Sequence, residues 1–173
     1  METRKINNEN MERITGTQDT PLIEYKDGKY IVRWDGQDED GKGVVSYNEI
    51  TFPYKPSLDT IKEVILGIEN SQVDQEILSG FTWEGMSVWL SSENQFNYKA
   101  AYDLAAQTNS GNLPVTFKFG DTDNPVYHEF KTLDDLADFY MKAMTHVNNT
   151  LKTGWESKDS IDWSLYEDAL DNL

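Results

Sequence analysis

The sequence predicts an α+β protein, and three observations carry that expectation. Residues 22–52 read as an N-terminal antiparallel β-meander, with apolar and polar side chains alternating on either side of Asp27-Gly28. Residues 81–119 read as strand, turn, strand, helix, strand. Residues 133–153 carry apolar side chains at spacings of three and four, the mark of a long amphipathic helix. The predicted architecture is a meander plus a helix, then an antiparallel sheet packed by two main helices, then a short C-terminal helix.

Residues 1–20 are polar and Asn-rich. They read as a flexible arm, with a short helix around Asn8 to Ile14 as the alternative. In the meander, Asp-Gly between two apolar runs is a strong hairpin signal. Tyr30, Val32 and Trp34 alternate with Ile31, Arg33 and Asp35, and residues 44–52 supply a third strand. The loop between them, GQDEDGKG at 36–43, groups three acids, but it lacks the acid at Gly36 and the bidentate glutamate at Tyr47 that a calcium loop needs. It is expected to be an acidic hairpin loop.

Ser57 is a fair N-cap for a helix from Leu58 to about Ile68, with Glu69 to Ser79 as a connector. The domain division expected is an arm over 1–20, a meander-plus-helix module over 21–72 and an α+β domain over 73–173. In that domain Glu84-Gly85 is the tight turn of a hairpin, because glycine takes positive φ without steric cost. Ser91 or Ser92 caps a helix to about Gln107, with Glu93 near the positive end of its dipole. Two apolar lines run along this helix. One is Phe96, Ala100 and Leu104; the other is Tyr98, Ala101, Tyr102 and Ala105. Both are expected against a sheet, leaving Asn97, Lys99, Asp103 and Gln107 wet. Asp121 to Pro125 is a turn between two strands, and Thr132 to Asp135 has the form of a capping box. The helix it opens is expected to stop at Gly154. A short helix near Asp162 carries Trp163 and Tyr166, which either staple it to the body or form a partner-binding tail.

The chain of 173 residues has 31 acidic and 15 basic side chains, a net charge of −16. Such a surface repels phosphate backbones and anionic membranes, so neither nucleic acid nor membrane is an expected partner. It reads first as solubility and colloidal repulsion. A DNA-mimicking surface that occupies a basic groove on another protein is the sharper alternative. There are no cysteines, so disulfides and thiolate chemistry are excluded. The N-terminal residues have no apolar run of the secretory kind, so synthesis in a cytoplasm is expected. His128 and His146 have no metal-ligand spacing, and phosphate-loop, dinucleotide and nucleophile-elbow motifs are missing. Carboxylate pairs such as Glu84 with Glu93, or Asp121 with Asp123, carry no specificity in so acidic a chain. No catalytic residue, metal ligand or cofactor site is expected. The candidate partner contacts are aromatic: Trp83, Trp89, Trp155, Trp163 and Tyr166.

One set of residues carries a resemblance. It comprises Trp83, Gly85, Val88 to Ser91, Glu93 to Gln95 and Asn97, then Phe117 to Phe119, Thr132, Leu133 and Leu136, then His146, Val147, Lys158 and Ile161. Over roughly residues 80–163 the chain resembles an uncharacterised domain family of bacteriophages and prophages, found near tail-fibre and tail-assembly genes. The meander with KPSLDTIKEVI is similar to phage proteins of gut Bacteroidales. The resemblance implies a structural or assembly role in a tail or virion, through protein–protein contacts and possible homo-oligomerisation, and it implies no active site. The alternatives are a soluble acidic inhibitor of a host protein and, more weakly, a carbohydrate-binding or carbohydrate-active protein.

Overall fold

The computed structural model describes residues 11–38 and 41–173. Residues 1–10 of the arm expected over 1–20, and two residues of the acidic loop, lie outside the described residues. The chain divides into two compact units. The first takes residues up to Asn70 together with Trp155–Leu173; the second is Ser71–Gly154. This differs from the expected division, because the C-terminal segment belongs with the N-terminal module.

The first unit is built on a four-stranded antiparallel sheet. Its strands are β1 (Glu12–Thr17), β2 (Ile23–Lys26), β3 (Lys29–Asp38) and β4 (Val44–Phe52), in the order β1-β4-β3-β2. Asp27 and Gly28 both have positive φ, 51° and 78°, which matches the twist of a two-residue hairpin. The polar segment ahead of the meander is therefore not an arm throughout, since residues 12–17 form an edge strand. The reason is non-local. Arg13 donates to Asp35 Oδ2 at 2.7 Å, Asn48 Oδ1 at 2.9 Å and Ser46 Oγ at 2.9 Å. β3 runs past the expected end at Asp35, with an irregularity between Trp34 and Gln37 where Asp35 takes φ 53°.

Helix α1 (Leu58–Ser79) packs Ile61, Val64, Ile65 and Ile68 against Ile23, Val32, Trp34, Ile50 and Phe52 of the sheet. Ser57 Oγ accepts from the Thr60 amide at 3.2 Å. The expected connector over 69–79 is helical. Glu69 is the reason: it occupies the slot after Ile61 and Ile65 in a row of four-residue spacing that Val73 and Ile77 continue. A buried glutamate hides that row from a search for apolar residues. Helix α4 (Trp163–Asp171) closes the unit, with Asp162 Oδ1 accepting from the Ser164 amide at 3.0 Å. The staple reading of this segment holds, since Tyr166 is buried and its hydroxyl donates to the Arg33 carbonyl at 2.8 Å.

The second unit has two separate hairpins. β5 (Thr82–Trp83) pairs with β6 (Met86–Ser87), and β7 (Val115–Gly120) pairs with β8 (Pro125–Phe130). Glu84 and Gly85 turn the first with φ 49° and 78°. Helix α2 (Ser92–Gln107) and helix α3 (Leu133–Asp159) complete the unit, and the boundaries between units fall within α1 and α3. Thr132 Oγ1 accepts from the Asp135 amide at 3.2 Å, as a capping box requires. Gly154 is not a stop. It is buried inside α3, where an added Cβ would lie 2.3 Å from Val73 Cγ2, so this glycine serves a close approach. The core is aromatic: Phe81, Trp83, Tyr98, Phe119, Phe130 and Phe139 are all buried. Among the described residues no helix is long and apolar enough to cross a membrane.

Candidate interaction surfaces

The start of α2 is fixed by its own side chains. Ser91 Oγ accepts from the Asn94 amide at 3.2 Å. Asn94 Nδ2 donates to the Trp89 carbonyl at 2.8 Å, and Gln95 Nε2 to the Leu90 carbonyl at 2.7 Å. With both carbonyls held, Leu90 points inward and Trp89 lies half in solvent. From this start the helix presents two unlike faces. The inner one buries Tyr98 and Ala105, and the Tyr98 ring lies 4.7 Å from Phe117 and 4.9 Å from Phe139, edge to face. The outer one carries the Phe96, Ala100 and Leu104 line, which is not core as the sequence predicts: Phe96 is 69% exposed and Leu104 48%. Beside this line Lys99 bonds to Asp103, and that bond raises the lysine pKa.

The five aromatic candidates separate by burial. Trp83 is core, with its ring against Phe119, His128, Phe130 and Phe139 and its Nε1 donating to Asp138 Oδ2 at 3.4 Å. It is unavailable as a contact. Tyr166 is buried too and serves the C-terminal staple. Trp163 is half-buried, 5.6 Å from Tyr166, with Lys62 Nζ 5.7 Å from its ring. Trp89 and Trp155 are exposed. Sequence reasoning missed Phe96 and Leu104, although a signal was present. Asn97, Asp103 and Gln107, expected to be wet, bracket Ala100 on the helical wheel and so mark that face as the outer one.

In the first unit a cleft of about 290 Å³ is lined by Trp34, Asp35, Ser157, Ser160, Asp162 and Tyr166, among others. Its polar groups bond within the protein. Asp35 accepts from Arg13 and Gln37, and Asp162 from Ser164. Ser160 donates to the Ser157 carbonyl, and Ser157 to Glu69 Oε2 at 3.1 Å. The other oxygen of that buried carboxylate accepts from Trp34 Nε1 at 2.9 Å. Arg33 is equally well satisfied, donating to Glu49 at 2.8 Å, Glu24 at 2.9 Å and the Pro21 carbonyl at 2.9 Å.

The histidines serve packing. His128 lies 4.7 Å from Trp83 and 4.6 Å from Phe130. His146 lies 5.5 Å from Phe81, with Nε2 3.0 Å from the Glu76 carbonyl. Asp121 Oδ1 accepts from the amides of Asn124 and Asp123 at 2.7 and 2.9 Å, which holds its carboxyl below the usual range. It shapes a turn. No group of three or more His, Asp or Glu side chains among the described residues is placed to hold a metal ion.

Burial pushes the Tyr98 hydroxyl up to about 12 and raises that of Tyr166 as well. A group whose folded pKa is raised contributes stability that is intact below its unfolded value, about 10 for tyrosine. That stability is lost as pH rises towards the folded value. Alkaline titration followed by tyrosinate absorbance should therefore show a late cooperative step, diminished in Tyr98→Phe and Tyr166→Phe, that coincides with loss of helical circular dichroism.

Neither the curated proteins nor the solved structures compared with the chain contain a match to it. One family matches residues 67–172, which takes in all of α2 and α4 and leaves out the meander. That span of 106 residues (172 − 67 + 1) exceeds half of the 173. The chain therefore belongs to the family described as "Domain of unknown function (DUF4376)".

Proposed function

We propose that this protein is a structural or assembly component of a phage tail or virion and works through protein–protein contacts, with the outer face of α2 as its contact surface. The observation that carries the contact reading is Phe96, a phenyl ring 69% exposed in the same line as exposed Leu104. Two large apolar side chains on one outer line cost hydration free energy that a partner would relieve. Exposed Trp89, just before the helix, adds an aromatic of the kind enriched at interfaces. The tail or virion setting comes from the sequence resemblance. The net charge of −16 favours a second reading, an acidic inhibitor that binds a basic surface on a host protein.

The test uses particles of a phage whose genome encodes the chain. On the first reading, mass spectrometry finds the chain in purified particles at a fixed copy number. Phe96→Glu should then lower its incorporation at least about tenfold, as loss of a central aromatic anchor does, with helical circular dichroism unchanged. Absence from particles, with recovery on a host DNA-binding protein, would overturn it for the second.

A further inference from the structure

We infer that the outer face of α2 pairs with the same face of a second copy of this chain, antiparallel, about a two-fold axis that passes Ala100. The inference rests on the contact reading above and names the partner.

At 3.6 residues per turn, Glu93, Phe96, Ala100, Leu104 and Gln107 point within about 40° of the Ala100 direction. The residues expected on the opposite side, Tyr98 and Ala105, are the ones buried in the core of the unit. In an antiparallel pair related by a two-fold at Ala100, a residue n places before Ala100 meets the residue n places after it. Phe96 then lies beside Leu104 of the second copy, and each of the two exposed apolar side chains finds the other. Ala100 meets Ala100, and its small side chain lets the helix backbones approach closely. Glu93 meets Gln107 of the second copy, a carboxylate against an amide. Lys99 and Asp103 of both copies line one flank of the seam, two cations with two carboxylates. A parallel pair would place Glu93 against Glu93 and Phe96 against Phe96.

Charge points the same way. One lysine against Glu93 and Asp103 gives α2 a net charge of 1 − 2 = −1, on a chain of −16. Of the four helices α2 is the least negative, so two copies of so acidic a protein repel each other less across it than across another helix.

The chain has no cysteine, so single cysteines report directly. The experiment is mild oxidation of the purified full chain at tens of micromolar, with products resolved by non-reducing electrophoresis. Ala100→Cys should link to a dimer at least about tenfold faster than Ala106→Cys, an exposed control on the same helix. Phe96→Cys alone should link slowly, whereas an equal mixture of Phe96→Cys and Leu104→Cys should give the mixed dimer. In sedimentation, Phe96→Glu should raise the dimer dissociation constant at least about tenfold. Equal rates for Ala100→Cys and Ala106→Cys would overturn the pairing, and self-linking of Phe96→Cys as fast as the mixture would overturn its antiparallel sense. If the pairing is overturned while Phe96→Glu still removes the chain from particles, the contact reading stands with another partner. If Phe96→Glu changes neither, both fall.

Discussion

Phe139→Ala is expected to remove about 3–5 kcal/mol of stability, the range for deleting a buried phenyl ring without collapse of the site. Phe139 is fully buried, and its ring centroid lies 4.9 Å from Tyr98, 5.2 Å from Phe119 and Phe130, and 5.5 Å from Trp83. These neighbours come from α2, β7, β8 and β5, so the ring joins most elements of the second unit. Rigid aromatics on four elements cannot all move inward to fill the space, which places the cost towards the upper end. For a chain of this length the midpoint of thermal unfolding should fall by roughly 6–20 °C. Phe139→Leu keeps most of the volume and should cost less than half as much. Urea unfolding followed by tryptophan fluorescence, which Trp83 reports from beside the cavity, measures both. A loss below about 1 kcal/mol for the alanine variant would show that the aromatic cluster is not the core described here.

Arg33→Met should cost about 3 kcal/mol. The Arg33 side chain is 7% exposed and bridges Glu49, its cross-strand neighbour, and Glu24. Removing it leaves the Glu49 carboxylate, 16% exposed, and the Pro21 carbonyl without their donor. Breaking a buried pair from one side costs about 3–5 kcal/mol. Glu24, at 35% exposure, recovers water, so the lower end applies. Arg33→Lys should lose most of the same stability, because an ammonium cannot reproduce the three-way fork. Adding Glu49→Leu to Arg33→Met should restore more than half of it, since the stranded charge goes with its partner. Additive losses in that double variant would contradict the account.

What the sequence made legible follows the range of the forces involved. Asp27-Gly28, Glu84-Gly85, Ser91, Thr132 and Asp162 act within four residues, and each does in the structure what its local chemistry predicts. The misplaced elements depend on distant partners. β1 exists because Arg13 reaches residues 22 to 35 positions away, and helix α1 continues because Trp34 and Ser157 satisfy Glu69. Gly154 reads as a stop unless Val73 is known to lie against it. The α2 surface is the instructive case. Two apolar lines competed for one buried side, and the one with alanines at both 101 and 105 went inward. The polar residues around Phe96 and Leu104 mark the other face, but three apolar residues in line mask that signal.

The measurement that tests the central claim most directly is hydroxyl-radical footprinting of the chain in its isolated assembly, against the same chain purified alone and dilute. If the outer face of α2 is the contact surface, oxidation of Phe96 and Leu104 falls several-fold in the assembly, while Tyr54, exposed in the other unit, is labelled equally in both. Unchanged labelling of Phe96 and Leu104, with protection elsewhere, would contradict the account.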